Sequence, residues 1–247
     1  MCYAFYSYHI IRAQNLCKDS ICSNVKYVQS VIDEHPKKHV VFIDHKKKVM
    51  PQKYREGQVE YFGKKGMCVL GAMLISHAER DSKWGFEYTF YDMIIKGYLD
   101  QDVLQVAAVL TKVLLPQLKK DKPLLEELII ISDNASCLAS QDHIVPIHHW
   151  NRNKNNGFKV ISWLFPEAQT DKNRLDTHFS FSSLQIRKYL EDGNDVSHED
   201  QLFDAYSFQG GISGTTCILV DCKLLSKPLF KNFKDFKAKK SGVFASH

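Results

Sequence analysis

The sequence predicts an α/β protein, a five-stranded mixed sheet with helices on both faces. Three observations predict it. Val40-Val41-Phe42-Ile43 and Leu128-Ile129-Ile130-Ile131 are continuous apolar runs of strand length, the pattern of strands buried on both faces. Each run leads into an acid: Asp44 directly, and Asp133 after Ser132. Between them, residues 102–120 repeat Val103, Val106, Ala107, Leu110, Val113, Leu114 and Leu118 at spacings of three and four, one face of a helix. A buried strand reached through a helix implies a parallel crossover.

The other elements follow in order. Residues 10–34 carry an imperfect helical stripe that His35-Pro36 stops. A strand over 39–44 comes next. The basic segment 46–53, with Pro51 inside it, reads as a loop or a strand edge. Residues 67–77 and 84–95 read as strands, with a turn over 78–83 between them. With the Asp44 strand they make three consecutive strands, antiparallel where connections are short. Asp100 or Asp102 caps the 102–120 helix, and lysines end it as the helix dipole favours. After the 128–131 strand, 134–156 is mixed and polar. Residues 158–165 are a strand that Pro166 ends, and 175–190 a helix with Leu175, Phe179, Ile186 and Leu190 inward. Residues 193–200 are a turn-rich link, and 215–220 a last strand. Three strands, a helix, a strand, a polar region, a strand and a helix form the order of an RNase H-like fold. The chain divides into a helical segment over 1–38, a core over 39–222 and a basic tail over 223–247, where lysines alternate with Phe230, Phe233 and Phe236.

The totals exclude some classes. No run of 18 or more apolar residues exists among the 247, so no transmembrane helix is expected. The start lacks a basic segment followed by an apolar one, so it does not read as a signal peptide. Seven scattered cysteines without a CxxC pair fit reduced thiols in an intracellular protein. The net charge of +5 permits a nucleic-acid partner without demanding one.

Two buried strands that each lead into an aspartate can set two carboxylates side by side. Phosphodiester transfer needs a nucleophile deprotonated and a leaving oxygen stabilised, and divalent ions held by carboxylates do both. The third acid is to be sought after the 158–165 strand, among Glu167, Asp171 and Asp176. Asp176 is preferred, because it lies beside Leu175 on the inner edge of a helix, in line with Ser180, Ser183 and Arg187. The plainer reading makes each aspartate a turn or cap residue. Lys46, Lys47 and Lys48 would attract a nucleic-acid backbone beside such a site, as would Arg55, Lys64, Lys65 and Lys172; a solvated hairpin is the bland alternative. His148-His149 reads as surface rather than as a metal site. His178, two residues past Asp176, faces away from it and takes no part in the acid site.

Asp133 within IISDNA, followed by FPEAQTDKNRLDTHF at 165–179, resembles DDE/D-type transposases and integrases of the RNase H-like superfamily. Mariner-like members lead from a strand end and proline through an Asp-x-Asn stretch to the third acid; here Pro166, Asp171, Asn173 and Asp176 fall at those places. DHKKKVMPQKYREGQVEYFGKKGM at 44–67 looks like a segment of transposon-derived proteins. The resemblance covers about residues 40–220. It implies DNA strand cleavage and transfer with Asp44, Asp133 and Asp176 holding Mg²⁺ or Mn²⁺, and Glu167 as the alternative ligand. It further implies transposon ends or duplex DNA as partner, a homodimer, no membrane and a nuclear location. Two departures stand out: Asp171-Lys172 replaces the usual Gly-Lys, and no DNA-binding domain or zinc-finger spacing is recognisable before residue 39. They suggest an isolated catalytic-type core, either a fragment or a domesticated copy. The intact acids favour the enzyme, and the missing DNA-binding domain favours the competing reading, a domesticated copy that keeps the fold as a nucleic-acid-binding or structural protein without turnover. A nuclease of RNase H or resolvase type, with water as its nucleophile, is the third reading.

Overall fold

A computed structural model describes residues 25–54, 64–78, 85–97, 101–133, 135–165 and 174–221. The elements are α1 (Val25–Glu34), β1 (Lys38–Val49), β2 (Met67–His77), β3 (Phe86–Lys96), α2 (103–121), β4 (Glu127–Ser132), α3 (Ile144–Arg152), β5 (Lys159–Leu164), α4 (Arg174–Glu191), α5 (Glu199–Ser207) and β6 (Thr215–Asp221). Residues 10–24 of the expected first helix, Arg55, Asp171, Glu167, Lys172 and the 223–247 tail lie outside the described residues.

The six strands lie side by side in the order β5-β4-β1-β2-β3-β6. β1, β2 and β3 form an antiparallel meander, while β4 and β5 run parallel to β1. That central order is RNase H-like. The sheet has six strands, not the expected five, because the last strand joins it parallel to β3. A strand pattern in a sequence says nothing about its neighbour, and that neighbour is set only by the path through α4 and α5.

Alternation along the strands sends residues to two cores. Val41, Ile43, Leu70, Leu74, Met93, Leu128 and Ile130 face α2, whose Val106, Val109, Leu110, Leu114 and Leu118 cover them. Val40, Phe42, Met73, Ile75, Ile129 and Ile131 face α1 and the Leu175–Phe179 turn of α4. Further along, Val49, Val69 and Ile94 meet Ile186, Leu202, Ala205 and Tyr206 from α4 and α5. Helices thus cover both faces. Pro116 sits inside α2, where it cannot donate a backbone hydrogen bond. The turn just before it, Leu110–Leu114, widens to a π-helix, and Leu115 donates to the Leu110 carbonyl. The polar stretch after β4 holds α3. The 193–200 link leads into α5, a helix the sequence reading did not anticipate.

Candidate active site

Ile43 pairs with Ser132 in the parallel β1–β4 ladder. The next residues along, Asp44 and Asp133, therefore lead off adjacent parallel strands, whose spacing is about 4.8 Å. The open end belongs to β4 rather than to β1. β4 stops at Ser132, whereas β1 continues to Val49 paired with β2. Asp44 thus stands mid-strand where its neighbour on one side runs out, which relieves the cost of burying a charge there.

Both aspartates are half-buried. An Asp44 Oδ1 accepts the His45 amide at 2.7 Å, and Asp133 Oδ1 accepts the Ala135 amide at 3.1 Å. The second bond has the i to i+2 span of an Asx-turn, just past the end of β4. Burial, then the charges of Asp133 and Asp44, push the Cys137 thiol up, so both carboxylates reach the same ground. His45 is held down to about 4 by burial, a neutral ring beside them.

α4 arrives over this rung by a close approach. Asp44 pairs with Gly71 on β2, and a Cβ at Gly71 would fall 2.4 Å from the Phe179 ring and 3.3 Å from Leu175 Cδ1. Glycine lets the ring lie directly on the backbone. The first turn of α4 is seated there, and Asp176 belongs to that turn, exposed. An acid in a first turn also suits the helix dipole. Among the described residues, no group of three or more His, Cys, Asp or Glu side chains is gathered closely enough to hold a metal ion.

The basic residues divide. Lys46 turns inward and is buried, its ammonium donating to the Phe179 carbonyl and, at 2.7 Å, to Ser183 Oγ. Burial lowers its pKa, and the Asp92 charge opposes that. Lys47, Lys48 and Lys65 are exposed, and Lys64 donates to the Pro51 carbonyl at 2.8 Å. A Cβ at Gly66 would lie 2.7 Å from Lys48 Cβ, so the two basic stretches lie side by side. His148 and His149 are exposed on α3.

No family model matches the chain, and no curated protein matches it. Solved structures similar to it include the terminase nuclease domain of human cytomegalovirus. The identity is 13% and the TM-score 0.29, over 85% of this chain and 77% of that one. The manganese-soaked form of that domain gives 10% and 0.29, over 95% and 87%. The manganese-soaked, inhibitor-bound form gives 14% and 0.28, over 92% and 83%. The RNase H-like assignment rests on this chain's own strand order. No described helix is long and apolar enough to cross a membrane.

One buried polar pair was not expected from the sequence. Asp92 follows Asp44 and Gly71 along the same rung, with Cys217 of β6 beyond it. Its Oδ2 lies 2.7 Å from His178 Nε2, with side-chain exposures of 0% and 2%. The His178 ring stacks on Phe90 at 4.3 Å. Burial and the Asp92 charge push the Cys217 thiol and the Tyr206 hydroxyl up. A signal existed: Asp92 interrupts the apolar run FYDMII, and a buried carboxylate requires a partner.

Asp44 and Asp133 are hard oxygen donors on neighbouring strands, the donor chemistry Mg²⁺ and Mn²⁺ take. Asp176 and Glu167 are the candidates to complete such a set from the segment after β5.

Proposed function

We propose that this chain cleaves DNA strands by divalent-metal chemistry of the transposase type. The observation that supports this most is the Asp44–Asp133 pair on adjacent parallel strands where β4 ends, with the first turn of α4 seated on the next strand at Gly71. Asp44 and Asp133 would hold Mg²⁺ or Mn²⁺, with Asp176, or else Glu167, as third ligand. The bound cation supplies positive charge for the attacking and leaving oxygens. Lys47, Lys48 and Lys65 would draw the phosphate backbone toward the carboxylates, with Arg55 and Lys172 as further contacts. The neutral His45 adds no competing positive charge. Lys46 is committed to α4 and serves to fix that helix. A nuclear location and a homodimer belong to the same reading.

The second reading is a copy that keeps the fold without turnover. It is favoured by the structural work the acids already do: Asp133 accepts the Ala135 amide, and Asp176 sits in a helix first turn.

The test is nicking of a labelled duplex in Mg²⁺ or Mn²⁺ by wild type, Asp44→Asn and Asp133→Asn. Nicking by wild type alone supports the proposal. Nicking by all three proteins equally removes Asp44 and Asp133 from the cleavage and overturns the proposed site; nicking by none with the fold intact replaces the proposal with the second reading.

A further inference from the structure

A cavity of about 440 Å³ lies along β5, the edge strand, between it and α3. It falls within the size range of small-ligand sites. Aromatic rings form a ladder in its wall. His143 stacks on Trp163 at 4.5 Å, and Trp163 stacks on Phe165 at 5.9 Å. Phe165 is 42% exposed.

Polar features accompany the rings. His143 is buried, and its Nε2 lies 2.8 Å from the Cys137 carbonyl. A carbonyl can only accept, so Nε2 carries the proton and Nδ1 is left as an acceptor. That Nδ1 is buried with no hydrogen-bond partner among the described residues. Burial also holds the His143 pKa below that of a free imidazole. His148 lines both this cavity and a second hollow that Arg152 shares, and no described acid lines either. The surroundings suit an occupant that is flat, apolar on its faces and flanked by negative charge.

The cavity lies on the α2 face of the sheet, opposite the face that carries Asp44, and one bond links it to the end of β4. Trp163 Nε1 donates to Ser132 Oγ at 2.9 Å, and Ser132 immediately precedes Asp133. Leu164 pairs with Ile131, so Phe165 stands beside Ser132 where the strands end.

We propose that this cavity takes an unpaired nucleobase of the strand whose backbone runs past Asp133. The proposal rests on the DNA-cleaving reading for that strand's path. The base stacks on Trp163 and Phe165. The chain thereby prefers a single-stranded or locally opened nucleotide next to the bond it cuts. Stacking of this kind tolerates any base, because every base offers a flat face.

The experiment measures binding by fluorescence anisotropy in EDTA, where no cleavage occurs. The probes are a short labelled thymidine single strand, the same backbone without bases, and a duplex of equal length. Wild type should bind the intact strand about tenfold more tightly than the abasic one. Phe165→Ala, at an exposed ring, should abolish that difference while leaving duplex binding unchanged. Equal binding of intact and abasic strands, or an unaffected Phe165→Ala, overturns the base site even if wild type nicks duplexes in Mn²⁺. That result would also be expected if the cavity holds an apolar side chain of a protein partner. Conversely, Phe165-dependent single-strand binding by a chain that never nicks removes the cleavage reading and retains the base site.

Discussion

Asp92 Oδ2 and His178 Nε2 lie 2.7 Å apart with both side chains sealed from solvent, and they tie α4 to β3. Asp92 shares its rung with Asp44 and Gly71, so the pair helps set where α4 stands over the carboxylates.

His178→Ala leaves the Asp92 carboxylate buried without its partner. Leaving a buried group without its hydrogen-bond partner costs about 1–3 kcal/mol, more for a charged one, and chemical denaturation should show a loss of that size. The double variant Asp92→Val/His178→Leu should recover part of it, since an apolar pair buries no charge. Recovery stays incomplete because Lys46 also leans on the Asp92 charge. A loss below about 1 kcal/mol in His178→Ala would mean that the pair does not anchor the helix.

Gly71→Ala tests the close approach. Its Cβ would meet the Phe179 ring at 2.4 Å, too near for real atoms, so ring and helix must lift. Overpacking of this kind costs about 1–3 kcal/mol. Adding Phe179→Leu to Gly71→Ala should restore stability by clearing space. A Gly71→Ala protein with unchanged denaturation midpoint would show that α4 does not rest on this strand.

His39 makes stability fall in mild acid. Burial, with Lys122 second, lowers its pKa from 6.5 to about 4. The unfolded chain takes the proton near 6.5 and the folded chain does not. Its contribution is therefore full above that pH and is lost as pH falls toward 4, up to about 3 kcal/mol. Between pH 7 and 5, His39→Leu should show a shallower decline than wild type in denaturation midpoint. Parallel declines would assign the slope to other groups.

The third acid separates by substitution. Asp176→Asn should abolish Mg²⁺- or Mn²⁺-dependent nicking and leave the fold intact, since the amide keeps the shape and loses the charge. Asp176 is exposed, so little stability is at stake. Glu167→Gln should lower activity by about 10–100-fold, the effect of disturbing a neighbour of the ligands. Full activity in Asp176→Asn with loss in Glu167→Gln would reverse the two roles.

Local pattern was enough for the strands that carry Asp44 and Asp133. Four-residue apolar runs have few ways to hide from water except in a covered sheet, and the helix between them forces the parallel pairing. It was also enough for α4, whose Leu175–Phe179–Ile186 stripe repeats at helical spacing. Other features depend on partners distant in the chain. Asp44 lies at an opening because β4 stops, and β4 stops 88 residues later in the sequence. Lys46 reads as one of three solvated lysines, yet alternation turns it inward, where Phe179 and Ser183 accept its protons. Asp92 and His178 are 86 residues apart, and only the sheet's register with α4 across it brings them into contact. Periodicity reports which side of its own element a residue faces. What waits on that side is set by packing between elements, and so the positions of these buried charges belong to the tertiary structure.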